Sequence, residues 1–166
     1  MSIHSSHPFP TDEDPVRRFR GRLGGAVALV TSGTAGSRTG LTVSSLMVAN
    51  GEPARLLFLV DPDSDLGESL AVGSRALVQL LGWSHRHLAE AFGGTAPAPG
   101  GLFRTGTFAD TDWGPRLVDA LGWAAVTVEG TREVGWSLEV TATIDDIEIG
   151  AGDDALLHRR GRWARP

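Results

Sequence analysis

Three hydroxyl side chains, Thr42, Ser44 and Ser45, stand in an uncharged run from Leu41 to Val48, among branched apolar residues. Backbone and hydroxyl donors held on one strand without charge suit a flat neutral ligand with many hydrogen-bonding edges. The same pattern also fits the solvent face of an alternating strand, and these residues alone leave both readings open. The other chemistry-bearing groups fail on spacing. The glycine-rich stretch Gly33 to Gly40 has no Gly-x-x-x-x-Gly-Lys-Ser/Thr, no Gly-x-Gly-x-x-Gly and no helix pattern after it, so it reads as a turn. Asp61, Asp63 and Asp65 begin like a calcium loop, but its sixth and twelfth positions hold Leu66 and Val72 instead of glycine and glutamate. A better reading has Asp65 capping a helical turn from Leu66 to Val72, whose backbone donors bind an anion, with hydroxyls from Ser64 and Ser69. The carboxylates of Asp63 and Asp65 oppose a phosphate there. His85 and His87 are two apart and point to different sides of a helix, so they make no metal pair. Ser44 and Ser45 lack the Gly-x-Ser-x-Gly elbow and have no assignable histidine base. The residues supply neither a catalytic constellation nor a metal site.

The elements that must hold these groups belong to a β-rich domain. At 166 residues with 41% hydrophobic content, the chain can bury an ordinary core as one domain. It has no cysteine, hence no disulfide and no thiolate chemistry. A net charge of −5 argues against nucleic acid, which needs a basic surface. No run approaches a membrane helix, and the N-terminus lacks the layout of a secretory signal, which favours the cytoplasm. Residues 1–13, with His4 and His7, read as a mobile leader before a domain over 14–166. Asp14-Pro15 caps a short basic helix from Val16 to Arg22. Strands follow at Ala26–Ser32, Leu41–Val48, Leu56–Val60 and Ala76–Leu81; the unbroken apolar run of the third fits a strand covered on both faces. Ser84 caps a helix through Phe92, Phe103–Phe108 reads as a short strand, and Pro115–Leu121 reads as one more helical segment. The last strands are Trp123–Glu129, Trp136–Ile144, Ile147–Ile149 and Leu156–His158, followed by the basic cluster Arg159, Arg160, Arg162 and Arg165, which reads as a solvated tail. Many short strands with a few small helices indicate a closed or split β-barrel.

The order of these elements, with the motifs on them, resembles the flavin reductase-like, FMN-binding split-barrel proteins. The motifs are Gly40-Leu-Thr-Val-Ser-Ser45, Glu52-Pro53 before the apolar strand, Val60-Asp61, Leu88-Ala89 with Phe92, Gly114-Pro-Arg-Leu117, and Gly161-Arg162-Trp163. The correspondence runs from Val16 to Trp163. It implies a mainly β homodimer, a six-stranded split barrel with FMN or FAD near the subunit interface. Thr42, Val43, Ser44 and Ser45 would then run along the isoalloxazine, with Asp61, Asp63 and Ser64 near the ribityl chain and phosphate. Gln79 takes the place of an asparagine usually close to the flavin. Of five tryptophans, Trp136 and Trp163 are the ones given a ligand role. The implied activity is hydride transfer from NADH or NADPH to the flavin, which carries the redox chemistry itself, with supply of reduced flavin to a monooxygenase as an implied role. Three departures stand out: Gly135-Trp136 replaces the usual Asp-His pair, Thr141 replaces a glycine, and the phosphate loop has become acidic. They motivate an alternative, a binding protein that holds flavin, deazaflavin or haem without reducing free flavin. A third reading is a structural dimerisation partner of an oxygenase.

Overall fold

The computed structural model describes residues 14–166; the leader expected over 1–13, with His4 and His7, lies outside the described residues. Helix α1 (Pro15–Leu23) begins as its sequence dictates. Asp14 Oδ1 accepts from the Val16 and Arg17 amides at 3.0 and 3.4 Å, and proline stands in the first turn. None of its residues is buried.

Strands β1 (Gly25–Ala26), β2 (Ala28–Ser32), β3 (Thr39–Val43), β4 (Leu46–Ala49), β5 (Arg55–Val60) and β6 (Arg75–Leu80) form the first half of the chain. The second half holds β7 (Phe108–Ala109), β8 (Arg116–Leu117), β9 (Gly122–Val134), β10 (Ser137–Ile149), β11 (Leu157–Arg159) and β12 (Arg162–Ala164). The main sheet is antiparallel and has seven strands in the order β3-β2-β6-β9-β10-β5-β4, where six were expected. Its two edge strands, β3 and β4, are consecutive in the chain and separated by Ser44 and Ser45 alone. A flat sheet of this width would hold its edges about 29 Å apart, whereas three peptide units span at most about 10 Å. The sheet must therefore curl until its edges nearly meet, which makes a barrel. Ser45 takes part in the closure: its carbonyl accepts from the Leu59 amide at 3.0 Å.

Alternation divides the core. Val30, Phe58, Val78, Val126 and Val140 fill the barrel interior. Leu29, Leu81, Leu117 and Leu156 form a second core on the outside, beneath helix α3 (Arg86–Phe92), whose Leu88, Ala89 and Phe92 face it. β2 is buried on both faces for this reason. β5 is not: Leu56, Phe58 and Val60 point inward, while Leu57 and Leu59 remain half-buried on the outer side. The expectation of a strand covered on both faces fails here, and the uncovered face borders the site described below. β9 and β10 form one long hairpin instead of three separate strands, with bulges that set Glu129 and Asp145 outside the ladder. Glu129 accepts from Arg55 and Thr143, and Asp145 from Thr127 and Trp113.

Three local expectations are corrected. Residues 115–121 are not helical: β8 pairs with β7, and Leu102–Arg104 is a 3-10 turn ahead of them. The cause is tertiary. Gln79, wholly buried, accepts from the Leu117 amide at 2.6 Å and donates to the Pro115 carbonyl at 3.2 Å and to Thr31 Oγ1 at 3.0 Å. Thr31 Oγ1 in turn donates to the same carbonyl at 2.6 Å. These bonds, with the Val118 amide donating to the Thr107 carbonyl at 2.9 Å, tie the segment to its neighbours in place of helical bonds. The cap of helix α2 (Asp65–Ser69) is Ser64 rather than Asp65; Ser64 Oγ accepts from the Gly67 amide at 3.0 Å. A final strand, β12, was not anticipated.

Replacing Gln79 with leucine keeps the volume but leaves the Leu117 amide buried without an acceptor. The expected loss is about 1–3 kcal/mol, read from the urea midpoint at unchanged slope. A loss below about 0.5 kcal/mol would show that this residue does not pin the segment.

Candidate functional site

The β3–β4 link, the open face of β5 and helix α1 enclose a groove of about 620 Å³. Ser44 and Ser45 form one end of its lining, and Leu57, Leu59 and Met47 give it apolar walls. Arg17 and Arg20 face it from α1, and His158 reaches it from β11. Among the described residues neither serine hydroxyl has a hydrogen-bond partner, so both are available to a ligand. Glu139 also lines the groove, but Arg132 Nε donates to its Oε1 at 2.8 Å and holds its carboxyl below the usual carboxylate range. That leaves the two α1 arginines as the groove's unbalanced charge. Burial pushes His158 below the ordinary histidine value of 6.5, and the Arg20 guanidinium pushes it in the same direction.

The residues singled out from sequence fall in several places. Ser44 and Ser45 meet in the groove. Thr42, one strand position earlier, donates its hydroxyl to the Ala89 carbonyl of α3 at 2.7 Å, and Val43 is buried in the barrel interior. Gln79 is buried, with its amide engaged as above. Asp61, Asp63 and Ser64 form the turn into α2. There the Asp63 amide donates to Asp61 Oδ1 at 2.9 Å and Ser64 Oγ donates to the Asp61 carbonyl at 2.6 Å. Trp136 sits at the tip of the β9–β10 hairpin, half-exposed, two residues beyond Val134 of the groove wall. Trp163 lies on β12. Its Nε1 donates to Glu90 Oε1 at 2.9 Å, its ring meets His158 edge-on at 5.1 Å, and it borders a second depression of about 560 Å³ with Arg159, Arg160 and Arg162. Sequence reasoning missed Arg17, Arg20 and His158. The helix was legible as basic, but nothing local to it shows that one of its sides faces the serine corner.

The match to known proteins follows this geometry. Residues 20–165 match the model of the flavin reductase like domain. The chain belongs to the flavin reductase-like domain family. A protein named FMN reductase (NADH) RutF 1, from Methylorubrum extorquens, is 29% identical over 164 residues, covering 98% of this chain and 81% of that one. FMN reductase (NADH) RutF of Agrobacterium fabrum is 27% identical over 148 residues, 89% of this chain and 84% of its own length. Among solved structures, the NADH:FAD oxidoreductase SgcE6 of Streptomyces globisporus, in complex with NAD and FAD fragments, superposes with a TM-score of 0.81 at 19% identity over 90% of each chain. The styrene monooxygenase flavin reductase SMOB of Pseudomonas putida does so with 0.79 at 21% identity, covering 92% of this chain and 97% of that one. At such identities the structural likeness establishes the fold of the family, which the seven-stranded curled sheet shares.

A histidine held below its unfolded value prefers to be neutral in the folded state. His158 therefore costs stability as pH falls below 6.5, where the unfolded chain takes up the proton more readily. Followed by NMR, its ring is expected to titrate below 6.5, and Arg20→Gln to raise the midpoint. An unmoved midpoint would mean that the Arg20 charge does not reach the groove floor.

Proposed function

We propose that this chain is an NAD(P)H-dependent flavin reductase that takes FMN, or FAD, in the groove beside Ser44 and Ser45. One observation carries the reading: two adjacent hydroxyls, without protein partners among the described residues, stand at the corner of a groove that Leu57, Leu59 and Met47 give apolar walls. Its volume lies within the roughly 300–1,000 Å³ of ligand pockets. A flat ring with a polar edge meets both requirements at once. The names of the relatives, FMN reductase (NADH), favour FMN with NADH.

When bound, flavin supplies the redox chemistry, taking a hydride from the nicotinamide. The chain's own work is binding and orientation. Ser44 and Ser45 hydrogen-bond the polar edge of the ring, while Leu57, Leu59 and Met47 exclude water from its apolar part. No side chain has to give or take a proton in that transfer.

The same reading includes a homodimer that completes the groove. Val16, Phe19 and Leu23 of α1 are 74%, 69% and 71% exposed, and Met47 and Val48 of β4 are 67% and 60% exposed. So much apolar surface around a ligand groove suits cover by a twin subunit. Thr42, Val43, Asp61, Asp63, Ser64 and Gln79 then act from behind the groove, by shaping the strands and turns that carry it. Trp136 and Trp163 stand at its margins, available to the nicotinamide or the partner subunit. Supply of reduced flavin to a monooxygenase is part of the proposal, by analogy with SMOB.

Purified protein given FMN is expected to oxidise NADH steadily and to elute at twice the chain mass. No turnover with FMN or FAD and either nicotinamide would remove the reductase reading, and flavin binding without turnover would favour a binding protein instead. Ser44→Val with Ser45→Val should weaken FMN about tenfold or more, two hydrogen bonds being lost, with the fold retained by circular dichroism. Undiminished affinity would move the ring elsewhere.

A further inference from the structure

Resting on that reading, we propose that Arg17 and Arg20 of helix α1 anchor the phosphate of the flavin, so that the groove selects FMN over riboflavin. The two guanidiniums lie on the same side of the helix, three residues apart, and both line the groove that ends at Ser44 and Ser45. Neither has a carboxylate partner among the described residues, whereas the carboxylate of the same groove, Glu139, is held by Arg132. The groove thus offers neutral hydroxyls at one wall and uncompensated positive charge at another. A ligand with a neutral planar part and a dianionic end matches that division; a neutral flavin matches only half of it. Guanidinium groups suit phosphate because their paired donors fit its oxygens in charge-assisted bonds. His158, which also lines the groove, is held below its ordinary value first by burial and then by the Arg20 charge.

The turn at 61–65 is poorly made for the same task. It carries three carboxylates, and two of its donors are occupied: the Asp63 amide by Asp61, and the Ser64 hydroxyl by the Asp61 carbonyl. Like charges brought close to a phosphate repel it. Of the two elements, α1 is the better suited to hold a phosphate.

A nicotinamide dinucleotide also carries phosphate, so the test separates the two sources. Equilibrium binding of FMN and of riboflavin, read by flavin fluorescence without nicotinamide, is compared for wild type and the Arg17→Gln/Arg20→Gln double variant. FMN is expected to weaken about tenfold to a hundredfold and to lose most of its salt dependence, with riboflavin unchanged. Arg20→Lys should retain part of the preference. Arg18→Gln and Arg22→Gln, on the same helix but outside the groove lining, should leave the FMN-to-riboflavin ratio as it is. Equal weakening of both flavins, or an unchanged ratio with only the KM for NADH raised, would overturn the anchor while leaving the reductase intact. Failure of the wild type to bind either flavin would overturn the reductase reading and the anchor with it.

Discussion

Two residues hold this structure to its shape. Ser44 and Ser45 join the opposite edges of a seven-stranded sheet, and a link that short cannot cross a flat sheet. Closure leaves β3 and β4 with edges turned toward one another and brings the chain past the outer face of β5. The barrel interior then fills with branched side chains, Val30, Val78, Val126 and Val140 around Phe58. The link itself cannot pair as a regular strand on both sides. Among the described residues it has a backbone bond from the Leu59 amide to the Ser45 carbonyl, and both hydroxyls are without protein partners. A fold that must break its ladder at one corner thereby acquires a polar notch in an apolar wall.

The remaining features of the groove follow from what packs around that corner. Leu57 and Leu59 lie on the side of β5 that the barrel does not use, so they are left half-buried along the groove. Helix α1 buries none of its own residues and is held by backbone contact with the β11–β12 turn, where the Arg160 amide donates to the Gly21 carbonyl at 2.8 Å. It is thus a charged wall placed against the groove, with Val16 and Phe19 exposed outside the lining. Behind the groove, polar side chains knit the layers. Thr42 ties β3 to α3, and Gln79 with Thr31 ties two strands to the 115–117 segment.

Much of this was legible in the chain itself. The capped basic helix, the α3 helix with its inward Leu88 and Phe92, and the strands at 28–32, 55–60 and 75–80 follow from local pattern. The serine pair stood out because hydroxyls in an uncharged strand are conspicuous. What escaped is non-local. The run from Leu41 to Val48 looks like one strand, and no periodicity says that its halves belong to opposite edges. Pro115–Leu121 has a helical spacing of apolar residues, but the hydrogen bonds of Gln79, more than thirty positions away, override it. Leu57 and Leu59 looked like core because their run is unbroken. Arg17 and Arg20 were legible only as part of a short basic helix, because their placement beside the serines depends on how that helix packs on the β11–β12 turn.

The account turns on where the ring goes, and a crystal structure of the protein with FMN addresses this most directly. The account predicts the ring in the groove, its polar edge on the Ser44 and Ser45 hydroxyls and one face against Leu57 and Leu59. A ring seated instead in the depression by Arg159 and Trp163, or a groove filled by side chains of a neighbouring subunit, would contradict it.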